Sequence, residues 1–369
     1  MSIEEDLAAP VDPTDAVALE AAFAIRRSKY QAEIADGIES FFNPRRDTCP
    51  WCSSPNLTTI LRTGDRNQRK PGRFVLDRCR TCRHVFQNPM LNPTGLDFYY
   101  RDFYDGLGRS MIETVFDQRT DVYQTRARQL LPCFPDGSGP KNWLDIGAGF
   151  GHFCRDAKTV FPDTVFDGLD QGLGVVEAAE KGWIDTAHRG WFPDLAEELT
   201  GRYDVISMFH YLEHVLDIRA ELDLAAAVLP SGGLLQIEVP NPESRLRALR
   251  GWWVQWFQPQ HLHFAPLPNL LAALNERGLR PVSVQFAESH IPVDVTCAML
   301  SMFAVASPEP RLPWLTIRQN KARWAYHQFM WAKLCPKVLP WAYKADAALT
   351  PVVKRTGDAN LYRVLARKV

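Results

Sequence analysis

Several things are scarce in this 369-residue chain, and each absence excludes something. Net charge is one: 42 basic residues against 43 acidic ones leave −1, which argues against a surface that coats nucleic acid as a whole. Long apolar runs are another. The best candidate, Val295 to Ala306, is too short to cross a bilayer, so no membrane span is expected. Met1 to Ala9 is acidic and carries no apolar stretch, so no secretory leader is expected. Eight cysteines without an export signal point to a reducing cytoplasm, with thiols free or bound to metal, not paired as disulfides. At a rough prior of about 150 residues per domain, the length allows one full core and a smaller appendage.

What is present is concentrated first between Trp143 and Phe153. A short apolar strand, Asn142 to Ile146, carries Asp145 and runs into Gly147, Gly149 and Gly151. Glycines at a strand-to-helix turn accept unusual backbone angles and let a ligand approach the main chain, where helix N–H groups are unpaired. Such a bend alone suits a dinucleotide, a nucleoside or a plain tight turn. A second apolar strand, Val165 to Leu169, ends in Asp170, 21 residues past Gly149. An acid at that strand end can hold two ribose hydroxyls, which fits nicotinamide cofactors and S-adenosylmethionine equally. Asp145 stands where dinucleotide fingerprints usually carry an apolar residue.

On these residues the chain resembles the class I S-adenosylmethionine-dependent methyltransferases. Asp145 to Gly151 is similar to their glycine loop and Asp170 to their ribose-binding acid. Three further segments follow in the family's order: Arg202 to His210 as a fourth strand, with Tyr211 to Val215 starting the next helix; Leu229 to Asn241 as a Pro-Gly turn and fifth strand; Asn360 to Lys368 as a final strand. The resemblance implies an α/β fold with a Rossmann-like seven-stranded sheet, its last strand antiparallel. It also implies a cofactor site. Gly147, Ala148, Gly149 and Gly151 should face the amino-acid end of S-adenosylmethionine, Asp170 the ribose, Gln171 the adenine, with Gly190 and Trp191 as further adenine-side candidates.

Two CxxC pairs, Cys49/Cys52 and Cys79/Cys82, stand 26 residues apart. Two intervening residues let both thiolates of a pair converge on one tetrahedral ion, and two pairs at ribbon spacing predict a structural zinc site. Asn56 to Leu61 and Arg73 to Leu76 supply a hairpin between them. From Arg45 to Arg83, ten Lys or Arg face Asp47, Asp65 and Asp77, a formal +7 that four thiolates on a divalent ion lower to +5. The expected role is a rigid spacer. The segment from Val85 through Tyr100 to Tyr104 resembles a subset in which a four-cysteine module precedes a methyltransferase core, some of whose members methylate sugar carbons. The expected domains are an N-terminal helix (1–44), a zinc ribbon (45–90), a linker or helical cap (91–140) and the catalytic core (141–369).

Outside these motifs, Asp12-Pro13 suits a helix start, and Val17, Phe23, Ile25, Ile34, Ile38 and Phe41 predict a long amphipathic helix. A sixth strand is expected at Pro281 to Glu288. About seventy residues then separate the sixth strand from the last, where a short turn is usual, and predict a helical insertion at about 289–357. From Arg311 to Arg355 it carries nine Lys or Arg against Asp346 alone, among seven aromatics. The expectation is an aromatic face packed on the core. A lid over a greasy substrate and a basic face on anionic lipid are the alternatives.

Three histidines are candidates for a base near the acceptor. His261 lies in a Pro-Gln-His segment similar to one bordering the acceptor pocket in the four-cysteine subset, where an acid often stands in place of Gln260. His210 ends the fourth strand, and His214 sits in a Leu-Glu-His-Val run. The leading functional expectation is methyl transfer to a small molecule, a sugar, nucleotide-linked sugar or secondary metabolite, of bulky or lipophilic type. An RNA-modifying or RNA-binding protein and a non-catalytic cofactor-binding scaffold are the other two. The oligomeric state is open between monomer and homodimer.

Overall fold

In the computed structural model, residues 16–102, 109–256, 258–286, 293–315 and 321–369 are described. The expected helix start at Asp12-Pro13, the aromatics Tyr104 and Phe257, and Glu288 lie outside them. Seven strands form the main sheet: β4 (Asn142–Ile146), β5 (Val165–Asp170), β6 (Ala187–Arg189), β7 (Val205–Phe209), β8 (Leu234–Pro240), β10 (Leu279–Gln285) and β11 (Leu361–Lys368), in the order β10-β11-β8-β7-β4-β5-β6. β6, β5, β4, β7 and β8 run parallel, while β11 is antiparallel to both β8 and β10. Every residue of β7 and β8 is buried, as parallel strands covered on both faces require. This is a Rossmann-like mixed sheet with an antiparallel last strand.

A second sheet is built from β1 (Leu57–Thr63), β2 (Phe74–Cys79), β3 (Val85–Gln87) and β9 (His263–Phe264), all antiparallel. Its fourth strand thus comes from the chain that follows β8. Backbone pairing joins the cysteine-bearing segment to the core, and Arg78 and Arg83 both reach Glu243 across the same boundary.

Several local expectations need correction. Tyr211 to Val215 is not the start of a helix but a turn, and the helix begins at Ile218. The Asp217 carboxylate caps that helix by accepting the N–H groups of Arg219 (3.0 Å) and Ala220 (3.1 Å). The N-terminal helix ends at Glu33, with Gly37 in the left-handed region (φ +92°) before a short 3-10 turn at Glu39–Phe41. The aromatics of the insertion do not all pack inward. Trp314 is buried, with its indole N–H on the Gln68 carbonyl at 2.9 Å, but Tyr326, Phe329, Trp341 and Tyr343 are exposed. Asp346, the lone acid there, is buried at the start of helix Asp294–Ala306 and accepts the N–H groups of Val295 and Thr296 (3.0 and 2.9 Å).

Candidate active site

The glycine bend leaves β4 with Gly147, Gly149 and Gly151 all at positive φ (+78°, +54° and +74°), a path costly for any other residue. Gly149 is the one open to a ligand: a Cβ there would meet no protein atom within 4 Å. Gly151 does something else. It does not line the cavity below, and its Cβ would stand 2.7 Å from the Ala178 Cβ, so it serves helix packing instead of facing the cofactor as expected. Asp170, at the end of β5, accepts the Gly149 N–H at 3.0 Å and the Gly172 N–H at 2.8 Å. It therefore braces the bend as well as facing the cleft. Burial pushes its carboxyl up, opposed by those N–H groups.

Asp145 is buried and receives the Ser207 hydroxyl at 2.6 Å, while Ser207 in turn receives the Trp143 indole N–H at 2.8 Å. Burial pushes the Asp145 carboxyl up to about 7, against the opposing pull of Ser207 and Arg126. Asp145, Gly147, Ala148, Gly149 and Asp170 line a cavity of about 1340 Å³. Gln171, Gly190 and Trp191 line it too, and the Trp191 side chain is half exposed.

The three candidate histidines line the same cavity. His210 is sandwiched between carboxylates, with Nδ1 2.9 Å from Glu213 and Nε2 3.5 Å from Glu238. Burial works against its charge, but the two carboxylates outweigh it and raise its pKa to about 9. The two carboxylates thus favour the imidazolium form of His210. Glu238 is in turn gripped by Arg126 and Arg363, whose Nε donates at 2.7 Å, and all three side chains are buried. Burial opposes ionisation of Glu238, yet the guanidinium pair holds it well below the usual carboxylate range.

His214 and His261 are neutral instead. Nδ1 of His214 donates to the Gln260 carbonyl at 2.9 Å, and Nδ1 of His261 to the Gln255 carbonyl at 2.8 Å. A carbonyl oxygen only accepts, so each Nδ1 carries the proton and each Nε2 a lone pair. Burial drives His261 down to about 3, helped by His214, and lowers His214 as well. Their rings meet edge to face at 4.8 Å.

Glu213 was not among the expected site residues. The acid that Gln260 fails to supply beside His261 arrives from the β7 turn: the Glu213 carbonyl accepts Leu262 N–H at 2.6 Å, and Glu213, His214 and His261 bring donor atoms within 4.8 Å of one another. The Leu-Glu-His sequence held the signal, but adjacent residues on a helix point about 100° apart, so a helical Tyr211 to Val215 gives no reason to pair them.

The cysteines also converge. Sγ of Cys49 lies 3.6 Å from Cys82, and Sγ of Cys52 lies 3.6 Å from Cys79. A tetrahedral ion with metal–sulfur bonds of about 2.3 Å needs roughly 3.8 Å between sulfurs, so the four could hold one. Trp51 N–H points at the Cys49 sulfur (3.4 Å) and Cys82 N–H at the Cys79 sulfur (3.5 Å). The buried pair His84 Nε2 and His263 Nδ1, 3.1 Å apart, links this module to β9, two residues from His261.

Residues 118–284 match the family model for a methyltransferase domain, a segment that takes in the glycine bend, Asp170 and all three candidate histidines. A curated relative, a ubiquinone biosynthesis O-methyltransferase of Bradyrhizobium sp. (strain ORS 278), is 29% identical over 157 residues, 37% of this chain. The chain spans 60% of the length of that relative. Among solved structures, a possible histamine N-methyltransferase from Thermotoga maritima is similar at 15% identity, covering 73% of this chain and 100% of that one, with a TM-score of 0.42. An S-adenosylmethionine-dependent methyltransferase from Archaeoglobus fulgidus is similar at 17% identity over 67% of this chain and 94% of that one, with a TM-score of 0.41. At those TM-scores the superpositions add nothing to the fold, which rests on the strand order. Residues 118–284 are thus similar to a methyltransferase domain.

Proposed function

We propose that the protein transfers a methyl group from S-adenosylmethionine to a small-molecule acceptor. The observation that carries this reading is one cavity lined by the glycine bend, Asp170, His214 and His261 together. Its volume exceeds the roughly 300–1,000 Å³ of ordinary ligand pockets, leaving room for a cofactor and a bulky acceptor together. Gly147, Ala148 and Gly149 would hold the amino-acid end, Asp170 the ribose, and Gln171, Gly190 and Trp191 the adenine. The bound cofactor would supply an electrophilic methyl on a sulfonium, and alignment of the acceptor with it would provide most of the acceleration.

His214 and His261 turn neutral ring nitrogens with lone pairs toward the acceptor side of the cavity. His210 stays cationic beside them and favours negative charge on the reacting atom. The site suits a hydroxyl or an acidic carbon on a sugar, nucleotide-linked sugar or lipophilic secondary metabolite. The four cysteines would hold a structural zinc ion, and the module they close fixes the chain carrying His261. An RNA substrate is less favoured, because Arg45, Arg78 and Arg83 of the basic module are spent on Asp77 and Glu243.

Titration of the full chain with S-adenosylmethionine in a calorimeter is the test. Saturable binding at one site per chain, weakened at least tenfold by Asp170→Ala, is expected. No heat with the unaltered protein would end the proposal. Binding without turnover on any fraction of a host extract would favour the non-catalytic scaffold.

A further inference from the structure

Outside the thiolates, one other cluster among the described residues brings together side chains able to hold a metal: Glu213, His214 and His261. All three are buried, at 1%, 8% and 4% exposure. Each has one polar atom anchored away from the cluster. Nδ1 of His214 and of His261 are spent on backbone carbonyls, and Glu213 receives His210 Nδ1 on its first carboxylate oxygen. What remains is a set of acceptors. The second Glu213 oxygen and His214 Nε2 are buried without any hydrogen-bond partner, and His261 Nε2 carries a lone pair. Acceptors brought within 4.8 Å of one another repel, and the two that are buried and unmet cost free energy. A cation resolves both. Histidine ligands that donate their other ring N–H to a carbonyl are moreover the arrangement that orients imidazole on a metal.

We propose that Glu213, His214 and His261 hold a divalent transition-metal ion, with coordination positions open toward the acceptor cavity. Two imidazoles and one carboxylate suit zinc, manganese or iron(II) over calcium or magnesium, which favour all-oxygen shells. Three protein ligands leave positions free, and both histidines line the cavity. The partner for those positions is an oxygen of the acceptor. A hydroxyl bound to the ion would be acidified: its proton passes to water, the oxygen forms the new bond to the methyl carbon, and the sulfur–methyl bond breaks with its electron pair going to sulfur, so that a neutral thioether leaves. That role rests on the methyl-transfer reading; the binding of the ion does not.

The test uses full-length protein, first loaded with one zinc equivalent to fill the thiolates. Manganese(II), which thiolates bind poorly, is then titrated alone and followed by electron paramagnetic resonance. One manganese per chain is expected, weakened at least tenfold in His261→Ala and in Glu213→Gln, with S-adenosylmethionine binding retained in both. Failure of the unaltered protein to take up any metal beyond the first equivalent, so that water alone fills the site, overturns the proposal. So does equal manganese affinity in both variants. The unaltered protein decides the first point even if a variant misfolds. A protein that binds manganese but not S-adenosylmethionine removes the methyl-transfer reading and leaves the site standing; the converse removes only this proposal.

Discussion

The four thiols near β2 and the Glu213, His214 and His261 triad are both clusters of metal-ligand side chains, but they are held in opposite ways. The thiols sit in a small module with one cysteine of each pair buried, Cys49 and Cys79, and the other turned outward, Cys52 exposed and Cys82 half-buried. Four sulfurs this close gain most from a shared ion, so the module should depend on the metal for much of its stability. The triad is assembled by the protein itself. His214 and His261 are oriented by carbonyls, and Glu213 by His210, which leans on Glu238 and its two arginines. One cluster is organised by its ligand, the other before any ligand comes. The lesson is that ligand-type side chains in proximity carry different chemistry depending on what else pins them.

The largest effect that could break this contrast is expected from Cys79→Ser. Metal-linked folding energy in such modules is on the order of 10 kcal/mol, so the zinc held by the thiolates should be lost and amide-exchange protection should fall from Cys49 to Gln87. S-adenosylmethionine affinity should hold within about twofold, because the glycine bend belongs to the main sheet. Protection that persists in the apo module would mean that the two clusters are not opposites.

A smaller loss is expected from Arg363→Leu, which removes one of the two guanidinium groups on buried Glu238. Breaking a buried ion pair from one side costs about 3–5 kcal/mol, readable as a lower urea midpoint at unchanged slope. Loss of less than about 1 kcal/mol would show that Arg126 alone anchors the network.

The smallest effect concerns pH. The folded-state pKa of His210 is raised to about 9 from its ordinary 6.5. Its contribution to stability is therefore complete below pH 6.5 and is lost as pH rises through 9. The stability difference between the unaltered protein and His210→Gln should shrink across that window. A difference that stays flat from pH 6 to pH 10 would show that His210 is not held as a cation (roughly the span over which both forms titrate).

Much of this was legible in the chain, and the misses have physical causes. Strand ends followed from apolar segments stopped by Asp170 and by the Pro230 to Gly233 turn, where local composition and local structure agree. Tyr211 to Val215 was misread because Leu212 and Val215, three apart and both buried, satisfy a helix and a tight turn alike. The Asp217 cap decides between them. Gly151 was misassigned because a glycine needed for a close helix approach looks, in one dimension, identical to one needed for a ligand. The exposed aromatics of the insertion follow an apolar stripe that no core element covers among the described residues.

What the sequence determined by itself is what spacing along the backbone enforces: the glycine bend, the acid one strand away, the two thiol knuckles. Covalent connectivity fixes those distances before anything packs. Tertiary structure alone decided that β9 would complete the cysteine sheet, and that Glu213 and His214 would meet His261 from 48 and 47 residues away along the chain. Such meetings depend on how burial brings separate segments together, and no short-range pattern encodes them.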